Sequence, residues 1–239
     1  MNIDFESPSA FSDLCAVPRV DAIVHLATKV GFGGDSLEEL YLANISATVA
    51  LATLAKHMGA HFVFASAALV AGSRECRIDS QSLDNPDSPY MTSKLLAERV
   101  IQASGIKAAI LRIGGVFGLN GPNHLGINRS IQSVMEGKPP VVAGNGRVLR
   151  NYIYVKDVAA TICDVLRREV CGTHLVAGSD ILSIDEMLTS LCEVFLPGTE
   201  PTRRTGNVGS DQLIVPSPEL LQARSFRAAL EDMRAEAGR

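Results

Sequence analysis

No two of the five cysteines, Cys15, Cys76, Cys163, Cys171 and Cys192, stand in a C-x-x-C pair, and their number is odd. That pattern argues against a disulfide framework and against a thiolate zinc site, and it predicts reduced thiols in the cytosol. Lys and Arg nowhere cluster densely enough to neutralise a run of phosphates, and 22 of them against 26 Asp and Glu give a net charge of −4. Nucleic acid is therefore not an expected partner. The most apolar stretch, residues 48–72, is broken by Lys56, His57 and His61, so it falls short of the ~20 uninterrupted apolar residues of a membrane span. Residues 1–10 carry Asp4 and Glu6 instead of a basic-then-apolar export signal. There is no internal repeat and no low-complexity segment. What is there is a 239-residue chain, 46% apolar and 20% charged, expected to be soluble, cytoplasmic and able to bury the core of an α/β domain of ordinary size.

Residues 21–27 form a short apolar run suited to a strand buried on both faces, followed by the glycine-rich loop 31–34. Leu37, Leu40, Tyr41, Asn44, Thr48, Leu51 and Ala55 recur at helical spacing and stop at Gly59. Residues 61–66 read as the next strand, 72–87 as a loop, and Ser88-Pro89 as the cap and first turn of a helix over 90–104. A third strand follows at 108–113. This alternation with short connections predicts parallel pairing through right-handed crossovers. Further on, the pattern predicts a loop at 120–123, a helix at 127–136, a turn at 144–146, a strand at 152–155 and a helix at 157–168. It ends with a strand at 174–176, a helix at 184–195, a polar mobile loop at 197–210 and a last helix at 218–235.

Tyr90 and Lys94 lie four apart on a predicted helix, so they share one face a turn apart. An ammonium close to a phenol favours the ionised form and lowers its pKa from about 10 toward working pH. Such a tyrosine can exchange a proton with a substrate hydroxyl while hydride moves. A Y-x-x-x-K spacing alone also occurs in helices whose two side chains merely face water. His57 and His61 are four apart as well, but Gly59 ends the helix between them, and no metal site is expected.

The order of the surrounding segments adds information. His25-Leu-Ala27 ends a strand, Asn44 sits in the next helix, and Phe64-Ala-Ser-Ala-Ala-Leu-Val-Ala-Gly72 ends the following strand. Tyr90 and Lys94 come next, then Leu111-Arg-Ile-Gly-Gly-Val-Phe-Gly118 and Arg150-Asn-Tyr-Ile-Tyr-Val-Lys-Asp157. In this order and spacing the chain resembles the extended short-chain dehydrogenases/reductases, the NAD-dependent epimerases and dehydratases of nucleotide sugars. The match spans residues 4–157.

The resemblance implies an α/β fold with a Rossmann-like parallel sheet, N-terminally truncated, and a small C-terminal substrate lobe. The partial dinucleotide-binding core would be 1–120, with 151–170 returning to it, and the substrate lobe 121–150 and 171–239. It also implies NAD or NADP as cofactor and a nucleotide sugar as substrate. Tyr90 would be the acid/base, Lys94 its electrostatic partner and a ligand of the nicotinamide ribose, and Ser66 a catalytic hydroxyl. Leu26, Ala27, Asn44, Ile113 and Val116 would lie by the cofactor, with Ser66, Tyr90 and Lys94. Ala67, Gly115, Asn123, His124 and Arg150 would lie by the substrate, Arg150 meeting a phosphate. Apart from the resemblance, Asn44 reads equally well as a polar residue holding a neighbouring loop, and Arg150 as a surface charge on a turn.

Two departures leave a catalytically impaired or non-catalytic relative, a binding or scaffold protein, open as the alternative. The family's S-S-x-x-V-Y-G has Ser or Thr at its second position, where this chain has Ala67, and an Asn commonly stands where it has Gly115. A lost positioning group of this kind costs orders of magnitude in rate. Nothing before Asp21 matches the glycine-rich pyrophosphate loop, and 31–34 is no substitute because it follows the wrong strand. Residues 1–4 resemble the end of the family's third strand, so roughly 60 residues of β-α-β are expected to be missing. Ile23 and Val24 would then lie on an open, apolar sheet edge. A truncated start, a partner chain completing the sheet, or a remnant would each account for this. A homodimer through the helices at 37–58 and 90–104 is the other expected association, with Ala47, Ala50, Thr92 and Leu96 pointing outward.

Overall fold

A computed structural model describes residues 3–5, 13–14, 16–31, 36–206 and 209–238. Cys15, residues 1–2 and the glycine-rich residues 32–34 lie outside these. The chain divides into two compact units, one of residues 1–73, 82–113 and 162–174, the other of 74–81, 114–161 and 175–239.

The first unit is a mixed α/β layer built on a sheet of order β1-β2-β4-β9. Its strands are β1 (Ala22–His25), β2 (His61–Ala67), β4 (Ala108–Ile113) and β9 (Gly172–Val176). β1 runs parallel to β2 with Ala22 opposite His61, and β2 parallel to β4 with Phe62 opposite Ala108 and Ala67 opposite Ile113. β2 is an apolar run because both its faces are covered: Phe62, Val63 and Phe64 are all buried. Among the described residues β1 forms one edge of the sheet, with Val24 exposed and Ile23 partly buried.

Between β1 and β2 the chain forms α1 (Leu37–Leu40), a wide π turn (Tyr41–Ser46) and α2 (Ala47–Met58). Ser36 and Glu39 make a reciprocal cap at the start, and Gly59 ends α2 with φ 68, a left-handed conformation that glycine reaches without a Cβ clash. The spacing predicted one regular helix. The π turn inserts an extra residue per turn, so the apolar stripe slips, and Tyr41 is exposed instead of facing inward. The same rotation buries Ala47 completely, so Ala47 is not an outward residue; Leu96 is exposed, while Ala50 and Thr92 are half-buried. α3 (Pro89–Ser104) starts as predicted, with Ser88 Oγ accepting from Met91 N at 3.2 Å. Leu51 and Ala55 of α2 and Ala97 and Ile101 of α3 pack with Phe62, Phe64 and Ile110 into one core.

The second unit is assembled from two-stranded pairs. β5 (Val116–Phe117) runs parallel to β8 (Ile153–Tyr154), and β3 (Arg77–Ile78) parallel to β12 (Leu213–Ile214). β7 (Leu149–Arg150) pairs antiparallel with β10 (Leu182–Ser183), and β6 (Val141–Ala143) parallel with β11 (Thr202–Arg204). Its core joins α4 (Gly126–Met135), α6 (Ile184–Phe195) and α7 (Phe226–Ala237) around Ile131, Leu191 and Leu230. α5 (Val155–Arg168) leads out of this unit toward β9. Two expectations are corrected here. The stretch 197–210 is not simply a mobile loop, because Thr202 N bonds Pro140 O at 2.9 Å and extends β6. The last helix starts at Phe226, not near 218: Ser217 hydrogen-bonds Leu175 in an extended stretch, and Ser225 caps the helix by accepting from Ala228 N.

Candidate functional site

The C-terminal ends of β1 and β2, the π turn and the first turns of α3 place a group of polar side chains together in the first unit. Lys94 is buried, and its Nζ donates to Ala65 O near the end of β2 at 2.8 Å. The ammonium lies 4.7 Å from the centroid of the Phe64 ring and 5.9 Å from that of Tyr90. Burial lowers the Lys94 pKa to about 8, while the Glu98 carboxylate one turn further along α3 pulls it back up. Burial pushes the Tyr90 phenol up from its ordinary value, and a hydrogen bond with the Thr28 side chain acts the other way. The shared helical face is as expected, but the expected lowering of the phenol by the lysine is not what dominates.

Asn44 sits at the centre of this group and is buried because the π turn aims it inward. Its Oδ1 accepts from Lys29 N at 2.7 Å and from Thr28 Oγ1 at 3.1 Å, and its Nδ2 donates to Lys29 O and Ser93 Oγ. Asn44 thus holds the loop after β1 against α3, the loop-holding role. His25, at the end of β1, is buried with Nε2 3.0 Å from Thr48 Oγ1. The Thr48 proton is donated to Asn44 O at 2.8 Å, so the shared proton of the first contact belongs to His25 Nε2. Leu26, Ala27 and Thr28, which follow, are exposed.

Ser66 is buried, and its hydroxyl donates to Glu98 Oε1, to which Arg112 Nε also donates at 3.1 Å. Its hydroxyl is therefore committed to a charged cluster, and the neighbouring Ala67, half-exposed, offers none. Ile113 ends β4 opposite Ala67. Gly115, Val116, Asn123, His124 and Arg150 all belong to the second unit. There Asn123 and His124 are exposed, and Arg150 Nη1 donates to Leu149 O and Ser210 O at 2.8 and 2.7 Å. A Cβ at Gly115 would come within 2.5 Å of the Tyr152 ring, which explains glycine at that position. No group of His, Cys, Asp and Glu suited to a metal occurs among the described residues. Sequence reasoning missed Thr28, Ser93, Glu98 and Arg112. Glu98 could have been found, since it continues the 90, 94, 98 spacing; Thr28 carried no such signal.

Chains of known structure share this arrangement of elements. UDP-N-acetylglucosamine 4-epimerase from Bacillus cereus superposes with a TM-score of 0.82 over 97% of this chain and 84% of its own, at 22% identity. UDP-glucuronic acid 4-epimerase from Bacillus cereus, in complex with UDP-glucuronic acid and NAD, does so with 0.78 over 98% and 80%, at 21% identity. The fold is thus a Rossmann-like α/β fold. In sequence, YtcB of Bacillus subtilis (strain 168), described as an uncharacterized UDP-glucose epimerase, is 30% identical over 185 residues, 73% of this chain and 58% of that protein. UDP-glucuronate 4-epimerase of Thermodesulfobacterium geofontis (strain OPF15) is 28% identical over 79% of this chain and 61% of its own length. The chain therefore spans about three-fifths of these two relatives. Residues 1–178 match the model of the NAD dependent epimerase/dehydratase family, and the chain belongs to that family. Among the described residues no helix is long and apolar enough to cross a membrane.

Proposed function

We propose that this chain carries the acid–base centre of an enzyme that epimerises or dehydrates a nucleotide sugar with NAD or NADP. One observation carries the reading: Tyr90 and Lys94 share a face of α3, with the ammonium fixed on Ala65 O at the end of β2 and the phenol ring 5.9 Å from it. In an open parallel sheet, ligands bind at the carboxyl ends of the strands, and β1 and β2 both end here.

The residues present fit the nicotinamide end of a dinucleotide. Leu26 is 54% exposed directly after β1, an apolar surface that a flat ring would cover, and Ala27 beside it is small. Leu26, Ala27, Ile113 and Lys94 would hold the cofactor, and Asn44 would fix the loop that presents the first two. The cofactor, when bound, supplies reversible hydride transfer at the sugar carbon. Tyr90 Oη takes the proton of the reacting sugar hydroxyl and returns it later. Lys94 stabilises the phenolate form by its charge and keeps its own position through Ala65 O. In the second unit, Arg150 is the candidate for a substrate phosphate, with Asn123 and His124 as candidates for the nucleotide. A second copy of the chain is the proposed partner, through α2 and α3, where Val49 and Leu96 are exposed; sedimentation velocity reads this directly.

Substrate turnover is tested by supplying NAD and scanning UDP- and dTDP-sugars. Tyr90→Phe should reduce turnover by about 10² or more; equal turnover in the variant removes the reading. A non-catalytic relative is the second reading, favoured by one observation: the hydroxyl of Ser66 is held by Glu98 and Ala67 has none. Under it, the wild-type chain binds nucleotide sugar without turnover at any cofactor concentration.

A further inference from the structure

The Ser66 hydroxyl is given to Glu98 and not to the open end of the sheet, yet Ser66 adjoins the carbonyl that holds the Lys94 ammonium. Ala65 O and Ser66 N belong to one planar peptide unit, which can move only as a whole. β1 pairs with β2 only as far as His25 opposite Phe64, so among the described residues 65–67 are held in the sheet by β4 alone. In that register Ser66 stands opposite Arg112. Glu98, completely buried on α3, reaches both: it accepts from the Ser66 hydroxyl, and from Arg112 through Nε at 3.1 Å and Nη2 at 2.6 Å. Lys94 and Glu98 lie one turn apart on α3, as Ala65 and Ser66 are neighbours on β2. The end of β2 is thus joined to α3 twice, once through Lys94 and once through Glu98.

We propose that Ser66 is a positioning residue for Lys94: its bond to Glu98 fixes the Ala65–Ser66 peptide, and with it the carbonyl that holds the ammonium beside Tyr90. The proposal rests on the acid–base reading of Tyr90 and Lys94. Lysine carries a point charge on a flexible stem, so the charge stays beside a phenol only where an acceptor of fixed position holds it. The Phe64 ring, 4.7 Å from the ammonium, attracts the cation, but the Ala65 carbonyl gives it a direction, because a hydrogen bond weakens steeply as it bends. A peptide plane free to swing would lose that alignment. Glu98 resists the swing, since Arg112 binds both of its oxygens and is itself paired with Asp84 at 2.6 Å. Ser66 therefore carries the rigidity of the charged cluster into the Tyr90–Lys94 pair without touching substrate.

Hydrogen exchange of the lysine ammonium groups, followed by NMR, tests this without substrate or cofactor. In the full chain labelled with ¹⁵N, the Lys94 ammonium should give a protected signal slightly below neutral pH, because it is buried and bonded to Ala65 O; Lys94→Met assigns the signal by its loss. Ser66→Ala removes the tether while Arg112 still binds both oxygens of Glu98, and it should speed Lys94 exchange by about tenfold. Ser66→Thr, which keeps the hydroxyl, should restore slow exchange. The amides of Phe62, Val63 and Phe64, earlier in β2, should exchange as in the wild type. An unprotected Lys94 in the wild type, an unchanged rate in Ser66→Ala, a change that threonine does not reverse, or an equal speeding of those amides overturns the proposal. Turnover of nucleotide sugar by the wild-type chain separates the two readings. An inactive chain with Ser66-dependent exchange removes the acid–base reading alone, and an active chain with Ser66-independent exchange removes only the tether.

Discussion

Arg112 on β4 grips Glu98 on α3 with two donors: Nε lies 3.1 and 3.2 Å from the two carboxylate oxygens, and Nη2 lies 2.6 Å from Oε2. Glu98 is completely buried. Asp84 accepts from the same Arg112 Nη2 at 2.6 Å, Arg99 pairs with Asp84, and Ser66 donates to Glu98. The cluster joins β2, β4 and α3, the elements that present Ala67, Ile113 and the Tyr90–Lys94 pair. Its alternating charges and hydrogen bonds offset the cost of burying a carboxylate.

Arg112→Met removes the bidentate partner and leaves a buried carboxylate with only a serine hydroxyl. The expected loss of stability is about 3–5 kcal/mol, read from urea denaturation at neutral pH. The double variant Glu98→Gln with Arg112→Met should recover part of that loss, because no uncompensated charge remains. Additive losses would show that the pair does not couple.

His25 sets an acid limit. Burial, and secondarily the Lys94 charge, lower its pKa from 6.5 to about 4. Because the unfolded chain binds the proton more readily, stability is full above the unfolded value, begins to fall as the pH drops below 6.5, and stops falling below about 4. Across that window the loss amounts to about 3 kcal/mol. In His25→Leu this part of the acid loss should vanish, while Thr48 keeps Asn44 O as acceptor. Denaturant midpoints at pH 7 and at pH 4 for both chains measure the difference; an unchanged acid slope in the variant would assign the loss to other groups.

The first unit was legible because its signals are local. The apolar runs gave β2 and β4, Gly59 and Ser88-Pro89 gave helix ends, and four-residue spacing gave the shared face of Tyr90 and Lys94. What escaped depends on contacts distant in sequence. The π turn is invisible to periodicity, since it exists to bring Asn44 under a loop 15 residues earlier. Burial, not the neighbouring lysine, is the largest cause of the upward shift of the Tyr90 phenol, and burial cannot be counted from spacing. In the second unit, residues 202–204 and 217 take strand bonds from Ala143-side and β9 partners, about 60 and about 40 residues away in sequence. Composition alone made them a loop and a helix start.

Glycine at positions 115 and 178 answers to the same neighbour. A Cβ at Gly178 would collide with the Tyr152 backbone carbonyl, and one at Gly115 would press on the Tyr152 ring from 2.5 Å. Backbone cannot yield there, because the adjacent Asn151 side chain binds Gly178 O and both backbone groups of Ile214. Gly178→Ala should therefore cost about 3 kcal/mol, and Gly115→Ala less, about 1–2 kcal/mol, since a ring can tilt. Thermal melts rank the two; the reverse order would mean that Tyr152 is held more firmly by its ring than by its backbone.

Restoring the missing hydroxyl is the most direct functional test. Ala67 is half-exposed at the end of β2, in register with Ile113, so a serine there adds one oxygen without disturbing a packed core. If Tyr90 works at this end of the sheet, Ala67→Ser supplies a hydroxyl donor to the reacting oxygen. A single donor of this kind is worth about 10²–10³ in kcat when removed from an optimised site; added to a site not built around it, the gain should be smaller, about tenfold. The gain should vanish in a Tyr90→Phe background, which makes the two substitutions non-additive. Turnover of the best nucleotide sugar, measured for the four chains of that cycle, decides it. Equal gains in both backgrounds would mean that the added hydroxyl does not act together with Tyr90, and no gain in either would place position 67 outside the reacting centre.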